Sequence, residues 1–350
     1  MKPIILQGHS RPIKDLKFNL EGTQLITGSS DRNIIIWDIF TSKKVSIFSH
    51  FAAVNGFTLS KSEDLLFSSD NTGTLYFWNI RSCKISRKIE YDVTMNLKSI
   101  DNSPNGEEII ACLSGRAKNA KAIIDIINIK DTMKLTKDPT YEEFRPRLRI
   151  ESKESKFTKC KIISGYSEEN DQCILATRED GSIQIFNFTN GELILTEKLH
   201  TDIIQDFDYD DKSGLLLTVS KDGKAIVTDL KSMNIMNTYT AENPKRQLNV
   251  CKFSPNVSKL CGEKVDESLL KFHCIFAGGQ DSKNVTTTHK KEGGFEIILF
   301  NLLDDNNVGS VAGHFGPVNA IAISPDGRVV VSGGEDSTVR LHNIQDISIY

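Results

Sequence analysis

The chain has 350 residues, 39% hydrophobic and 25% charged, with a formal net charge of −3. That balance suits a globular protein able to bury a core. It argues against a generic polyanion binder, whose affinity comes from neutralised phosphates. No apolar run approaches the length of a membrane span, so no membrane partner is expected. The run Ile4, Ile5, Leu6 is too short for a signal peptide. Seven scattered cysteines without a Cys-x-x-Cys pair read as reduced thiols of a cytoplasmic protein.

In chain order, the first predicted strand is residues 4–6, followed by Gly8-His9, Gly28-Ser29-Ser30-Asp31 and Ile34-Ile35-Ile36-Trp37-Asp38. A strand over 45–48 leads into a second copy, from Ser49-His50 to Leu75-Tyr76-Phe77-Trp78-Asn79. After a strand over 86–89 comes a degenerate copy, anchored by the turn Ser103-Pro104-Asn105-Gly106 and ending at Ile127-Asn128. Its outer strand is expected near 132–136. The fourth copy ends at Arg178-Glu179-Asp180-Gly181 and Ile185-Phe186-Asn187, and a strand over 193–199 follows. The fifth runs from Leu199-His200 through Ser220-Lys221-Asp222-Gly223 to Val227-Thr228-Asp229, with a strand over 235–239. The sixth ends at Gly278-Gly279-Gln280-Asp281 and Leu299-Phe300-Asn301, with a strand over 308–312. The seventh runs from Gly313-His314 through Ser324-Pro325-Asp326-Gly327 and Gly333-Gly334-Glu335-Asp336 to Asn343.

Four strands recurring at roughly 40–45 residues are the mark of a propeller, here of the WD-repeat kind. A four-stranded sheet cannot bury both faces alone, so blades stack radially and leave short edges. The expected fold is all-β: a seven-bladed WD-repeat β-propeller forming a single domain over residues 1–350. The chain opens on an outer strand and ends on an inner trio, so residues 3–7 are expected to complete the blade of 318–344, closed by N-terminal strand pairing.

The offsets of His9, Thr27, Asp31 and Trp37 recur as His200, Thr218, Asp222 and Thr228, and as His314, Ser332, Asp336 and His342. In WD repeats such side chains form a buried hydrogen-bonded chain, each bond worth about 0.5–1.5 kcal/mol. His9, Thr27 and Asp31 superficially offer a Ser/Thr-His-Asp triad. A device repeated from blade to blade reads instead as structural, so no catalytic residue and no enzyme is expected. His9, His50, His200 and His314 are spread around the ring, and His273 and His289 have no ligand-like spacing. No phosphate-binding or zinc motif appears, so neither metal nor cofactor is expected.

Departures from the repeat are where loops carry binding. Residues 130–161 hold ten Lys or Arg against six acids, with Tyr141 and Phe144 among them. They read either as a solvated loop or as a contact for RNA or an acidic protein. Residues 282–294 read as a hairpin extension or a docking element, and residues 256–272 as a polar loop.

The segments 278–288 (GGQDSKNVTTT) and Gly293-Gly294-Phe295-Glu296 resemble the sixth blade of the subunit i family of eukaryotic translation initiation factor 3. Gly313-His314-Phe315-Gly316-Pro317-Val318-Asn319 and the opening Leu6-Gln7-Gly8-His9-Ser10-Arg11-Pro12 are similar to it as well. The resemblance implies a non-catalytic scaffold within the factor, acting in assembly of the pre-initiation complex on the small ribosomal subunit. It implies the b and g subunits as partners, and an acidic contact around blades five and six for a basic C-terminal helix of the b subunit. Asp229 looks like such a position and Asp211 lies near another, although Asp229 reads equally as a repeat-typical strand-end residue. The alternative is a WD-repeat adaptor in signalling, of the kinase-receptor-associated type.

Overall fold

A computed structural model describes residues 3–117, 121–139, 143–152, 154–166, 172–241, 246–255, 257, 272–280 and 294–344. The chain is a seven-bladed β-propeller, and each blade is a four-stranded antiparallel sheet. Blade one holds β2 (Ile13–Phe18), β3 (Gln24–Ser29), β4 (Asn33–Asp38) and β5 (Lys44–Ser49). Blade two holds β6 (Val54–Leu59), β7 (Leu65–Asp70), β8 (Thr74–Asn79) and β9 (Lys84–Glu90). Blade three holds β10 (Met95–Asn102), β11 (Glu108–Gly115), β12 (Ala122–Asn128) and β13 (Leu148–Ser152).

Blade four holds β14 (Phe157–Ser164), β15 (Gln172–Arg178), β16 (Ser182–Asn187) and β17 (Leu193–Lys198). Blade five holds β18 (Ile204–Asp210), β19 (Leu215–Ser220), β20 (Lys224–Asp229) and β21 (Asn234–Thr240). Blade six holds β22 (Gln247–Phe253), β23 (Cys274–Gly279), β24 (Glu296–Asn301) and β25 (Asn306–Ala312). Blade seven holds β26 (Val318–Ile323), β27 (Val329–Gly334) and β28 (Val339–Asn343), with β1 (Ile4–Leu6) as its outer strand. Ile4 lies opposite Leu341, and Leu6 opposite Val339.

Period-2 alternation explains how the blades stack. Along β4, Ile34 and Ile36 turn towards blade two and pack with Phe57, Leu66 and Trp78. Ile35 and Trp37 turn the other way and pack with Ala320, Val331 and Leu341 of blade seven. A strand buried on both faces needs a continuous apolar run, and the middle strands read that way, as in IIIW and AII-II. Every other pair of neighbouring blades shares such a cluster, so the core is a set of wedges between sheets. Outer strands have solvent on one side, and β17 and β21 are mostly exposed.

The third blade departs from expectation. Residues 132–136 do not form its outer strand. The Asn128 side chain accepts the Asp131 N–H and starts a short helix, α1 (Ile129–Lys134), which buries Ile129 and Thr132. The outer strand is β13, sixteen residues downstream of where it was expected, held by Arg149 directly opposite Asp125. The fully buried Asp125 carboxylate takes two charge-assisted bonds from the Arg149 guanidinium, both 2.7 Å. Of the two sixth-blade insertions, residues 256, 258–271 and 282–293 lie outside the described residues.

Deleting residues 1–7 removes the outer strand of blade seven and exposes the β28 edge. The melting temperature is expected to fall by at least about 1–2 °C, the shift a loss of about 1 kcal/mol gives at an unfolding entropy of about 2.1 cal/mol/K per residue in a chain of 350 residues. Calorimetry of the truncated and full chains checks this.

Candidate functional site: the blade networks, the channel and the acidic turn

Local spacing brings the repeated polar residues together inside the blades. In blade one the His9 ring bonds Asp31 (2.8 Å) and Thr27 (2.7 Å), and the Trp37 N–H donates to the Thr27 hydroxyl at 2.9 Å. In blade five His200 bonds Asp222 (3.0 Å) and Thr218 (2.9 Å). In blade seven His314 bonds Asp336 (3.0 Å) and Ser332 (2.8 Å). Thr27, Thr218 and Ser332 are completely buried. Burial raises the carboxyls, but the histidine and backbone hydrogen bonds outweigh it. They hold Asp31 and Asp336 below the usual range and Asp222 at about 2.

The network has a variant in blade two and is replaced elsewhere. His50 bonds Ser68 (2.7 Å), and Trp78 donates to the same hydroxyl (2.8 Å), but Thr72 stands at the aspartate position. The second His50 nitrogen meets the Phe48 carbonyl instead, at 3.2 Å. Burial drives His50 down to about 4, and burial with the charges of His314 and Arg340 does the same to His342. In blades three, four and six the hydroxyl position is taken by Ala111, Ala176 and Phe276, each facing the inner-strand residue that Thr27 faces in blade one. His273 is buried and accepts the Leu302 N–H, at 3.0 Å.

A second set of polar residues, not singled out from the sequence, lines the central channel. Every inner strand bulges at the same place: the bulged residues are Lys14, Asn55, Lys98, Thr158, Gln205, Asn249 and Asn319. From the bulge inward, side chains reach the backbone of the next blade. Asp15 accepts the Phe57 N–H (3.1 Å), Asn55 donates to the Leu97 carbonyl (2.9 Å), and Ser99 and Asp101 accept the N–H groups of Cys160 and Ile162. Lys159 and Lys161 donate to the carbonyls of Phe207 and Tyr209 (both 3.5 Å). Asp206 and Asp208 accept the N–H groups of Cys251 and Phe253 (both 3.1 Å). Asn249 donates to Val318 (3.3 Å) and Asn319 to Ile13 (3.5 Å), which closes the circle. Lys161 and Lys252 flank Asp208, at 3.3 and 3.1 Å. Against burial, these lysines hold its carboxyl well below the ordinary range. The signal in the sequence was a polar residue recurring one to four places into each inner strand.

Asp211 and Asp229 lie near Tyr209. Burial, then Asp211, Asp210, Cys173 and Asp229, push its phenol up to about 12. The exposed Asp211 accepts the Ser164 N–H of blade four, at 2.8 Å. Asp229 accepts the Lys231 N–H (3.1 Å) and the Ser232 hydroxyl (2.8 Å) in the turn after β20. Asp38, Asn79, Asn187 and Asn301 end the equivalent strands and hold the same turn, so Asp229 occupies a repeat-typical position.

The basic segment 130–161 is largely not a free loop. Residues 148–152 and 157–161 are blade strands, and Phe144 is buried against Tyr91 and unavailable to stack on a base. Tyr141 lies outside the described residues. Lys130 pairs with Glu107, Lys134 with Asp131, Lys137 with Glu143, Arg147 with Glu108 and Arg149 with Asp125. Among the described residues no group of three His, Cys, Asp or Glu could hold a metal, and no helix is long and apolar enough to cross a membrane.

The family model described as WD domain, G-beta repeat, matches residues 2–38 and 305–343. Three proteins named eukaryotic translation initiation factor 3 subunit I are similar along nearly the whole chain. That of Vanderwaltozyma polyspora is 27% identical over 351 residues, covering 99% of this chain and 93% of the relative. That of Schizosaccharomyces pombe is 28% identical, covering 98% and 96%. That of Emericella nidulans is 29% identical, covering 98% and 94%.

Replacing Asp208 by Asn strips Lys161 and Lys252 of their shared acid. The stability loss expected is about 3–5 kcal/mol, read from the urea midpoint. His50 and His342 stay neutral in the folded chain down to about pH 4, whereas unfolded imidazoles bind protons below about 6.5. Their contribution is therefore complete above pH 6.5 and lost as pH falls towards 4. The melting temperature should drop across that window, and His50→Gln should flatten the drop.

Proposed function

We propose that this WD-repeat chain, which resembles subunit I of eukaryotic translation initiation factor 3, is the corresponding non-catalytic scaffold subunit of that complex. What carries the reading is similarity over 98–99% of the chain to proteins of that name. In it residues 1–350 act as one unit in the cytoplasm, binding the b and g subunits during assembly of the pre-initiation complex on the small ribosomal subunit. The relatives' names favour this over a signalling adaptor. A non-enzymatic role is supported by the triad-like groups: their hydroxyls are closed to any substrate, and one arrangement recurs in three blades. His9, Thr27, Asp31 and Trp37 and their counterparts act in this reading as structural ties.

Towards the b subunit, Asp211 and Asp229, with Asp210 beside them, form the acidic contact for a basic helix. Charge complementarity of this kind sets orientation and association rate. Direct RNA binding through residues 130–161 is not part of the reading, because Lys130, Lys134, Lys137, Arg147, Arg149, Lys159 and Lys161 are already held in ion pairs.

Affinity capture of the tagged chain from its own cells, with mass spectrometry, should recover other subunits of the factor. Recovery of signalling receptors alone overturns the assignment. Asparagine at the equivalent strand ends accepts the same turn bonds. The double variant Asp211→Asn, Asp229→Asn therefore removes charge and keeps the turns. It should weaken binding of a peptide taken from the C-terminal end of the b subunit by about tenfold, the effect of about 1.4 kcal/mol. The melting temperature should shift by less than about 2 °C. Unchanged affinity retires the two aspartates.

A further inference from the structure

The central channel carries a charge opposite to that of the chain. Its cavity of about 460 Å³ falls within the usual size of small-molecule sites, about 300–1,000 Å³. Lys14, Lys17, Lys98, Lys159, Lys161 and Lys252 line it against Asp15, Asp101, Asp206 and Asp208, a balance of six to four in a chain of net charge −3.

All four aspartates are committed, since each accepts a backbone N–H from the neighbouring blade. Asp206 further pairs with Lys159, and Asp208 with Lys161 and Lys252. Lys14 pairs with Glu335 at 3.5 Å. Lys17 and Lys98 make no ion pair among the described residues. The Lys17 ammonium lies over the Phe57 ring, 5.8 Å from its centre. Burial lowers its pKa; Asp15 and Asp101 oppose that, while the charges of Lys159 and Lys252 add to it. Three ammonium groups thus repel one another across the channel.

The lysines stand in two tiers. Lys14 and Lys98 are bulge residues. Lys17 and Lys252 lie three residues further along their strands, about 10 Å deeper at the usual strand rise. A second cavity, of about 450 Å³, shares Lys14, Gln205, Asn249 and Asn319 with the channel and adds Lys221, so the bulge tier continues into it. The channel lining has one aromatic residue, Phe207, already covered by the Lys159 ammonium at 5.5 Å. It therefore has little on which to stack a base, and many ammonium, amide and hydroxyl donors to surround charge.

We propose that the channel binds a compact polyphosphate anion, with Lys17 and Lys252 meeting one end of it, Lys14 and Lys98 the other, and Lys159, one residue past its bulge, between them. Lysine serves phosphate as a movable point charge, and a narrow cationic cleft focuses its field on such a ligand. The acids remain tied to the blade backbones, so the anion meets surplus positive charge without breaking the ring. This inference rests on the channel alone and stands whether or not the chain joins the initiation factor.

Isothermal titration calorimetry of the full chain with tripolyphosphate, at low salt, tests it. One site per chain is expected, with inorganic phosphate binding at least about tenfold more weakly. Lys17→Met should weaken tripolyphosphate binding about tenfold or more, the value of a lost charge-assisted bond. Lys17→Arg should largely restore it, and Lys134→Met on exposed α1 should change nothing. Should Lys17→Met fail to fold, Lys98→Met carries the same expectation. No heat of binding up to millimolar tripolyphosphate overturns the proposal, and so does equal binding by folded lysine variants and the parent chain.

Discussion

The ring holds because each inner strand is bonded to the next blade through a side chain, at a bulge that every blade repeats. A sheet with two apolar faces can be buried only between two others, and seven such wedges close only if the inner strands keep a common register. Hydrophobic contact is non-directional and cannot set that register by itself. Directional bonds from channel-facing side chains to main-chain N–H and C=O groups do so. They also satisfy backbone groups that adjacent blades would otherwise leave unpaired. The chemistry varies around the circle while the geometry stays constant. Aspartate and serine accept from N–H groups, and asparagine and lysine donate to carbonyls.

That constraint explains where charge sits in the molecule. Acids placed to bind the next backbone lie in a narrow channel, and lysines gather beside them because an unpaired buried carboxylate is costly. Lys161, Asp208 and Lys252 form one such run across blades four, five and six. The histidine networks do a related task in blades one, five and seven, tying a turn to the inner sheet, and in blade two His50 joins Ser68 to the Phe48 carbonyl instead. Where the hydroxyl is replaced by alanine or phenylalanine, other devices appear, as with Asp125 and Arg149 in blade three. With the interior committed in this way, the turns and outer strands are left to meet other molecules.

How much was legible in the residues follows from the range of each interaction. The networks of His9, His200 and His314 repeat at fixed offsets, and local chain geometry carries those offsets into fixed distances. The channel residues were equally regular, but a polar residue in an inner strand is unremarkable until the neighbouring blade's backbone is placed beside it. Asp229 could be read two ways from its position alone. The equivalent bonds made by Asp38, Asn79, Asn187 and Asn301 show its turn to be part of the repeat.

The number of blades, the strands within nearly all of them and the residues of the histidine networks in blades one, five and seven were legible in the residues alone. Each depends on periodicity and on neighbours close along the chain. That residues 148–152, and not 132–136, close blade three came from the fold, because it depends on a pairing with Ala122–Ile126 across more than twenty residues and on the helix that Asn128 starts between them. The fold likewise decided that most of a run of lysines and arginines is paired, since partners such as Glu107, Glu108 and Asp125 come from parts of blade three that precede the run in sequence.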